Sequence, residues 1–332
     1  MDYTPEKTLM QALNSVPQIF LASLPTPLER LGRLEERLGY PGIYIKRDDL
    51  TGLGPGGNKL RSLEFLLGEA AEQHADVVIA AGPLQSNLCT LTAAACARTG
   101  LRCILVHNGE EPSQKNGNVL LNTLLGAESH YLGTVSAQER TAYVEELARR
   151  LAAEHRPYVV KNGATSGCGM LGYTKAVIEL CRQTREQGID GLTVFAPGGN
   201  GGVASGLIYG NALCGDPFHI VAVSVEDDNA ALTAHIQRTI AEAEEILGLP
   251  FPGELERACT ITDVYRGGGW GQNTPESSRI VTEFARTEGI LVENVYNSKV
   301  LVGMVDYIRT RRVSGPVCFL HTGGFGSLFT QY

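Results

Sequence analysis

Six short runs of β-branched and apolar residues recur along the chain: DVVIAA (76–81), RCILVHN (102–108), PYVVK (157–161), LTVFAP (192–197), HIVAVSVE (219–226) and PVCFLHT (316–322). Turn residues bound each run, and stretches of helical pattern separate them. Strands without polar alternation have both faces covered, the condition of a parallel sheet whose crossover helices lie on either side. The pattern predicts an α/β fold, doubly wound and mostly parallel. In such folds the ligand crevice lies beyond the carboxyl ends of the strands. Here DVVIAA runs into GPLQSN, PYVVK into NGATSGCG, LTVFAP into GGNGG, and PVCFLHT into GGFGS. Four loops rich in Gly, Ser, Asn and Thr describe one polar crevice, with glycines that let backbone N–H groups approach a ligand closely.

A chain of 332 residues suits one large domain or two lobes around one cleft. The net charge of −8 gives no overall basic field for nucleic acid or an anionic membrane. No apolar run reaches the roughly 18 residues of a transmembrane helix. The first stretch, MDYTPEKTLMQALNSVPQIF, carries acids and no signal-peptide core, so a cytoplasmic chain is expected. Eight cysteines are scattered without a C-x-x-C pair, and they read as small core residues of a reducing compartment. Cys89 and Cys96 share one face of a predicted helix, and the partner ligands of a metal site are absent. His74, His107, His130, His155, His219 and His235 show no ligand-like spacing and read as surface or core residues.

The stretch GPGGNKLRSLEFLLGEA (54–70) fixes one lysine, Lys59, between a glycine-rich turn and a helix start. A solvated surface lysine does not need that setting. A lysine that holds a covalent partner in one orientation does. PGGNGGVASG (197–206) follows a strand and precedes a helix, so its amides and the helix N-terminus make an anion site. Gly199, Gly201 and Ala204 also satisfy the dinucleotide pattern G-x-G-x-x-A, with Glu226 at the end of the next strand. An NAD-dependent oxidoreductase is therefore one reading. It leaves Lys59 and the other three glycine loops without a purpose. Pyridoxal phosphate needs a Schiff-base lysine and a phosphate cup, and Lys59 with residues 199–203 would supply both.

IKRDDLTG…GGNKLR (45–61), QSN (85–87), the glycine loop, VYNSK (295–299) and FLHTGG (319–324) together resemble the D-cysteine desulfhydrase and 1-aminocyclopropane-1-carboxylate deaminase family, a branch of the tryptophan synthase β-like, fold type II pyridoxal phosphate enzymes. The resemblance covers nearly the whole chain in the same order. It implies a homodimer of two-lobed protomers, with residues 1–60 and 172–332 in a large lobe, 61–171 in a small one, and the cofactor between them. It implies that Lys59 carries the cofactor and takes the substrate α-proton, with Asn58 and Asn87 beside the ring. Gly199, Asn200, Gly201, Gly202 and Val203 would hold the phosphate, and Thr322 would lie near the pyridine nitrogen. Gln85, Ser86, Asn87 and Leu88 would face the substrate, with Ser86 on its carboxylate or assisting proton transfer. Tyr296 would face the reacting carbons, with Trp270 shaping the pocket.

Four positions depart from that family's pattern. Leu88 stands where the desulfhydrases carry histidine after QSN, and otherwise starts a helix and packs. Asn297 stands where the deaminases carry a glutamate after the tyrosine, which disfavours cyclopropane ring opening and favours β-elimination. Trp270 stands where a second active-site tyrosine is expected, with Tyr265 five residues earlier, and Val203 removes a hydroxyl from the phosphate loop. The expected reaction is α,β-elimination on a small β-substituted amino acid, D-cysteine first. L-cysteate, L-cysteine, D-serine, 2,3-diaminopropionate and 1-aminocyclopropane-1-carboxylate remain open, as does a non-catalytic protein that binds the cofactor or an amino acid.

Overall fold

A computed structural model of the chain describes residues 4–331. The first part runs α1 (Pro5–Asn14), β1 (Leu28–Arg30), α2 (Gly32–Leu38), β2 (Ile43–Arg47), α3 (Lys59–Glu72), β3 (Val77–Pro83), α4 (Asn87–Thr99) and β4 (Arg102–Asn108). There follow α5 (Gly117–Leu124), β5 (Glu128–Tyr131), α6 (Ala137–Leu151), β6 (Pro157–Val159), α7 (Gly167–Gln187), β7 (Thr193–Gly198), α8 (Gly202–Leu213) and β8 (His219–Ser224). The last part holds α9 (Asn229–Leu247), α10 (Leu255–Ala258), β9 (Cys259–Thr262), α11 (Pro275–Glu288), α12 (Asn297–Arg309), β10 (Val317–His321) and α13 (Phe325–Leu328).

All six expected strands form, within two residues of their expected bounds. They are shared between two sheets. One has the order β1-β2-β10-β7-β8-β9, the other β5-β4-β3-β6. Every pairing is parallel except that of β1 with β2. Every residue of β7 is buried, the consequence of helices on both faces. On β3, Val78 and Ala80 join the main core, while Val77 and Ile79 pack with Val144 and Leu147 of α6. The main core continues from the small sheet into the large one through α3, α7 and α8.

Close approach of those three helices rests on glycine. A Cβ at Gly172 of α7 would lie 2.2 Å from the Arg61 carbonyl oxygen of α3, and one at Gly206 of α8 would lie 2.4 Å from that of Met170. α7 is thus the spacer that sets the start of α3 against the start of α8, the two places where the lysine and the glycine loop sit.

A buried ion network fixes the start of α3. Arg61 makes a bidentate pair with Asp48, both bonds 2.8 Å, and its other nitrogen bonds Glu179 at 3.1 Å. Lys46 also pairs with Glu179 and donates to Gln183 Oε1 at 2.9 Å. Tyr173 donates to Asp48 at 2.6 Å, and Thr26 donates to Asp48 at 2.7 Å. Burial alone would raise the Asp48 carboxyl, but the Arg61 guanidinium and the Lys46 ammonium outweigh it and hold the acid at about 2.

Among the described residues no helix is long and apolar enough to cross a membrane. Seven of the eight cysteines are buried, Cys89 and Cys96 on the same inward side of α4. Gly172→Ala has no open space to fill, so it is expected to destabilise the protein by about 1–3 kcal/mol. Urea unfolding would show this as a lowered midpoint at constant slope; an unchanged midpoint would contradict the packing of α7 on α3.

Candidate active site

The turn before Lys59 is fastened on two sides. The Gly57 N–H donates to Thr51 Oγ1 at 2.7 Å, and the Asn58 N–H donates to the Thr322 carbonyl at 3.1 Å. Gly56 has φ 73°, and a Cβ there would lie 2.0 Å from the Asp49 carbonyl oxygen, so only glycine fits. Lys59 is the first residue of α3. Its Nζ donates to the Gly163 carbonyl at 2.7 Å, and among the described residues no carboxylate pairs with it. The residue lines the crevice half-buried, yet its amine is desolvated, which lowers it to about 8.

The lysine's acceptor also touches the glycine loop. A Cβ at Gly163 would lie 2.4 Å from Asn200 Nδ2, and one at Gly202 would lie 3.1 Å from Thr165 Oγ1. Gly201 takes φ 88° and is the N-cap of α8. Gly199, Asn200 and Val203 are half-buried beside it. The first-turn N–H groups of α8 have no intrahelical acceptor and point toward the loop, the arrangement that receives an anion.

The QSN loop is held from α5. Ser86 is the N-cap of α4 and accepts from the Cys89 N–H at 3.3 Å. Asn118 donates its side-chain amide to Asn87 Oδ1 (2.8 Å) and to the Gln85 carbonyl (2.9 Å), while its own N–H donates to Gln85 Oε1 at 2.8 Å. Asn118 was not among the residues the sequence singles out. Leu88 is buried in the main core, as its packing reading expects.

The fourth wall is the start of α12. Trp270 Nε1 donates to Tyr296 Oη at 2.7 Å, so the tryptophan does reach the expected tyrosine. Tyr265 does not join them; its hydroxyl bonds Asp306 at 2.6 Å and its ring packs in the core behind the large sheet. A Cβ at Gly199 would lie 3.2 Å from Tyr296 Cε1, which places the tyrosine against the glycine loop. Asn297 donates to the Gly323 carbonyl (2.8 Å) and to Glu293 (3.0 Å), and accepts from the Thr322 N–H (3.0 Å) and hydroxyl (3.2 Å). An acid at position 297 could not make the two donor bonds. Glu293 is buried and also accepts from the Tyr296 and Asn297 N–H groups at 2.8 and 2.7 Å. Burial raises its carboxyl, against those backbone donors. Its only advance signal is its place four residues before Asn297. His321 is neutral by its bonds: Nε2 donates to the Leu291 carbonyl at 2.9 Å and Nδ1 accepts from the Gly323 N–H at 3.1 Å. Burial lowers it further. Glu226 lies two residues beyond β8, with its carboxyl raised by burial.

Residues 19–323 match the family model described as pyridoxal-phosphate dependent enzyme. A Pyrococcus horikoshii protein provisionally named 1-aminocyclopropane-1-carboxylate deaminase is 36% identical, over 96% of this chain and 94% of its own. A D-cysteine desulfhydrase of Klebsiella pneumoniae is 34% identical, over 97% of this chain and 98% of its own. The crystal structure of an ACC deaminase homologue superposes with a TM-score of 0.89 at 34% identity, over 98% of this chain and 97% of that one.

The desolvated amine gives a direct test. Because neutral amine is the reactive form, Lys59 is expected to take up an amine-acylating reagent half-maximally near pH 8, where surface lysines remain charged. Peptide mass spectrometry across a pH series measures this. Uptake at Lys59 only near pH 10 would contradict the desolvated setting.

Proposed function

The chain belongs to the family of pyridoxal-phosphate dependent enzymes, and on that premise we propose a lyase that performs α,β-elimination on a small β-substituted amino acid, with D-cysteine as first candidate and pyruvate, sulfide and ammonia as products. The observation that carries this reading is the Lys59 amine: desolvated, paired with no carboxylate among the described residues, and one glycine away from the N-terminal end of α8. These residues fit the cofactor. The amine can condense with an aldehyde, and the α8 amides can take a phosphate without a charged side chain.

Bound at Lys59, pyridoxal phosphate supplies an electron sink for the pair left when the substrate Cα–H bond breaks. The protein does the rest. Lys59 Nζ, partly neutral near physiological pH, takes the α-proton. Gly199, Asn200, Gly201, Gly202 and Val203 hold the phosphate. Asn87, oriented by Asn118, and Asn58 would hold the cofactor ring, and Thr322, oriented by Asn297, would lie near its nitrogen. Ser86 and Gln85 meet the substrate carboxylate, and Tyr296 faces the departing group. Asn297 favours elimination over cyclopropane opening, because both ends of its amide are committed to neighbouring groups and it brings no charge to the ring.

We place the enzyme in the cytoplasm as a homodimer, with residues 1–60 and 172–332 as its large lobe and 61–171 as its small one. The exposed Leu124 and Phe329, on the adjoining α5 and α13 side of the molecule, support a contact with a second copy.

The cofactor-loaded protein, given D- and L-cysteine, L-cysteate, D-serine, 2,3-diaminopropionate and 1-aminocyclopropane-1-carboxylate in turn, is expected to release pyruvate from one enantiomer of a β-substituted alanine. Lys59→Ala is expected to abolish it, a loss of at least about 100-fold. Release of 2-oxobutyrate from the cyclopropane alone would reverse the assignment within the family. A spectral change without any keto acid would point to the binding protein.

A further inference from the structure

Trp270 is the only tryptophan of the chain and is 41% exposed at the crevice rim, yet its indole N–H is aimed inward at Tyr296 Oη, 2.7 Å away. The loop that carries it is pinned by a fully buried lysine. Lys299 Nζ donates to the carbonyls of Arg266 (2.6 Å), Gly269 (2.7 Å) and Val225 (3.2 Å). Tyr296 is the N-cap of α12 and Lys299 is the third residue of that helix. One helix start therefore holds both partners, the tyrosine directly and the tryptophan through its loop.

An indole N–H can only donate. It occupies an acceptor position on the phenol oxygen, so the phenol's own hydrogen must point elsewhere. Among the described residues it meets no other hydrogen-bond partner. The Tyr296 ring lies against Gly199 of the glycine loop, on the crevice side.

We propose that Trp270 is a positioning residue that makes Tyr296 the proton donor to the departing group; this rests on the elimination proposed above. The Cβ–X bond breaks with its electron pair going to X. The Tyr296 O–H bond breaks and its proton goes to X. The phenolate that remains accepts from the Trp270 N–H until water at the exposed rim returns a proton. Burial pushes the Tyr296 phenol above its ordinary value, and the indole N–H is the neighbour that opposes the shift.

Leaving groups that differ in their need for a proton test the role. Serine loses hydroxide, which must be protonated, whereas 3-chloroalanine loses chloride, which need not be. With the enantiomer that the wild type accepts, Trp270→Phe is expected to lower kcat for serine by about tenfold or more while leaving that for 3-chloroalanine and both KM values near wild type. Trp270→His, which restores an N–H donor, is expected to recover part of the loss. Equal loss on both substrates, or loss on neither, overturns the donor role. Separately, the emission of the single tryptophan in cofactor-free protein is expected to shift in Tyr296→Phe; an identical spectrum overturns the contact. A wild type that converts neither of these nor either enantiomer of cysteine overturns the elimination and the donor role together, and the emission comparison then separates a wrong reaction from a wrong contact.

Discussion

The buried pairing of Arg61 with Asp48 and Glu179 is the constraint on which the rest of the molecule depends. Charges taken from water destabilise a fold unless partners and hydrogen bonds offset the desolvation, and removing one partner costs about 3–5 kcal/mol. Here every charged end is occupied: Arg61 by two carboxylates, Lys46 by Glu179 and Gln183, Asp48 by Arg61, Tyr173 and Thr26. The participants come from the segment before β1, from β2, from the turn after it, and from α3 and α7. Their geometry must be satisfied at once, so the five segments have one mutual arrangement. Arg61 is two residues past Lys59, and the catalytic candidate inherits that arrangement.

From there the site follows by close contact. Gly172, Gly206 and Gly210 let α7 lie flush between α3 and α8. That spacing brings the Lys59 amine to the Gly163 carbonyl and sets Gly163 against Asn200 of the glycine loop. On the opposite wall, Asn297 ties the loop after β10 to the start of α12, and Asn58 ties the lysine turn to that same loop. Loops at strand ends can be precise when neighbouring backbone groups, not long side chains, fasten them.

Much of this was legible in the sequence. Strands buried on both faces announce themselves as unbroken apolar runs, so β3, β4, β7, β8 and β10 could be read directly. β1, β5 and β9 are short and lie at sheet edges or beside them, where exposure erases the pattern. The four glycine-rich loops follow strands of two sheets; strand direction gathers those of β3 and β6 and those of β7 and β10, and the packing of α7 between α3 and α8 brings the two pairs together. The charged residues of IKRDDL and NKLR were visible as a motif, but not their task, which needs Glu179 from far along the chain. Asn118, Glu293 and Lys299 were missed for a common reason. Asn118 and Lys299 act on backbone groups, or on an amide, of distant loops, and Glu293 acts on the N–H groups of the turn just after it; nothing in local spacing marks such work. Leu88 is the first apolar residue of α4 to enter the core.

Of the four departures, Leu88, Asn297 and Trp270 lie outside the lysine turn and the glycine loop, and Val203 leaves the backbone N–H groups of that loop in place. The account therefore stands on Lys59 as the cofactor's anchor. Borohydride reduction of the cofactor-loaded protein, followed by peptide mass mapping, tests that most directly. One reduced pyridoxyl group on the peptide carrying Lys59 is the predicted result, and the group on any other lysine would contradict it.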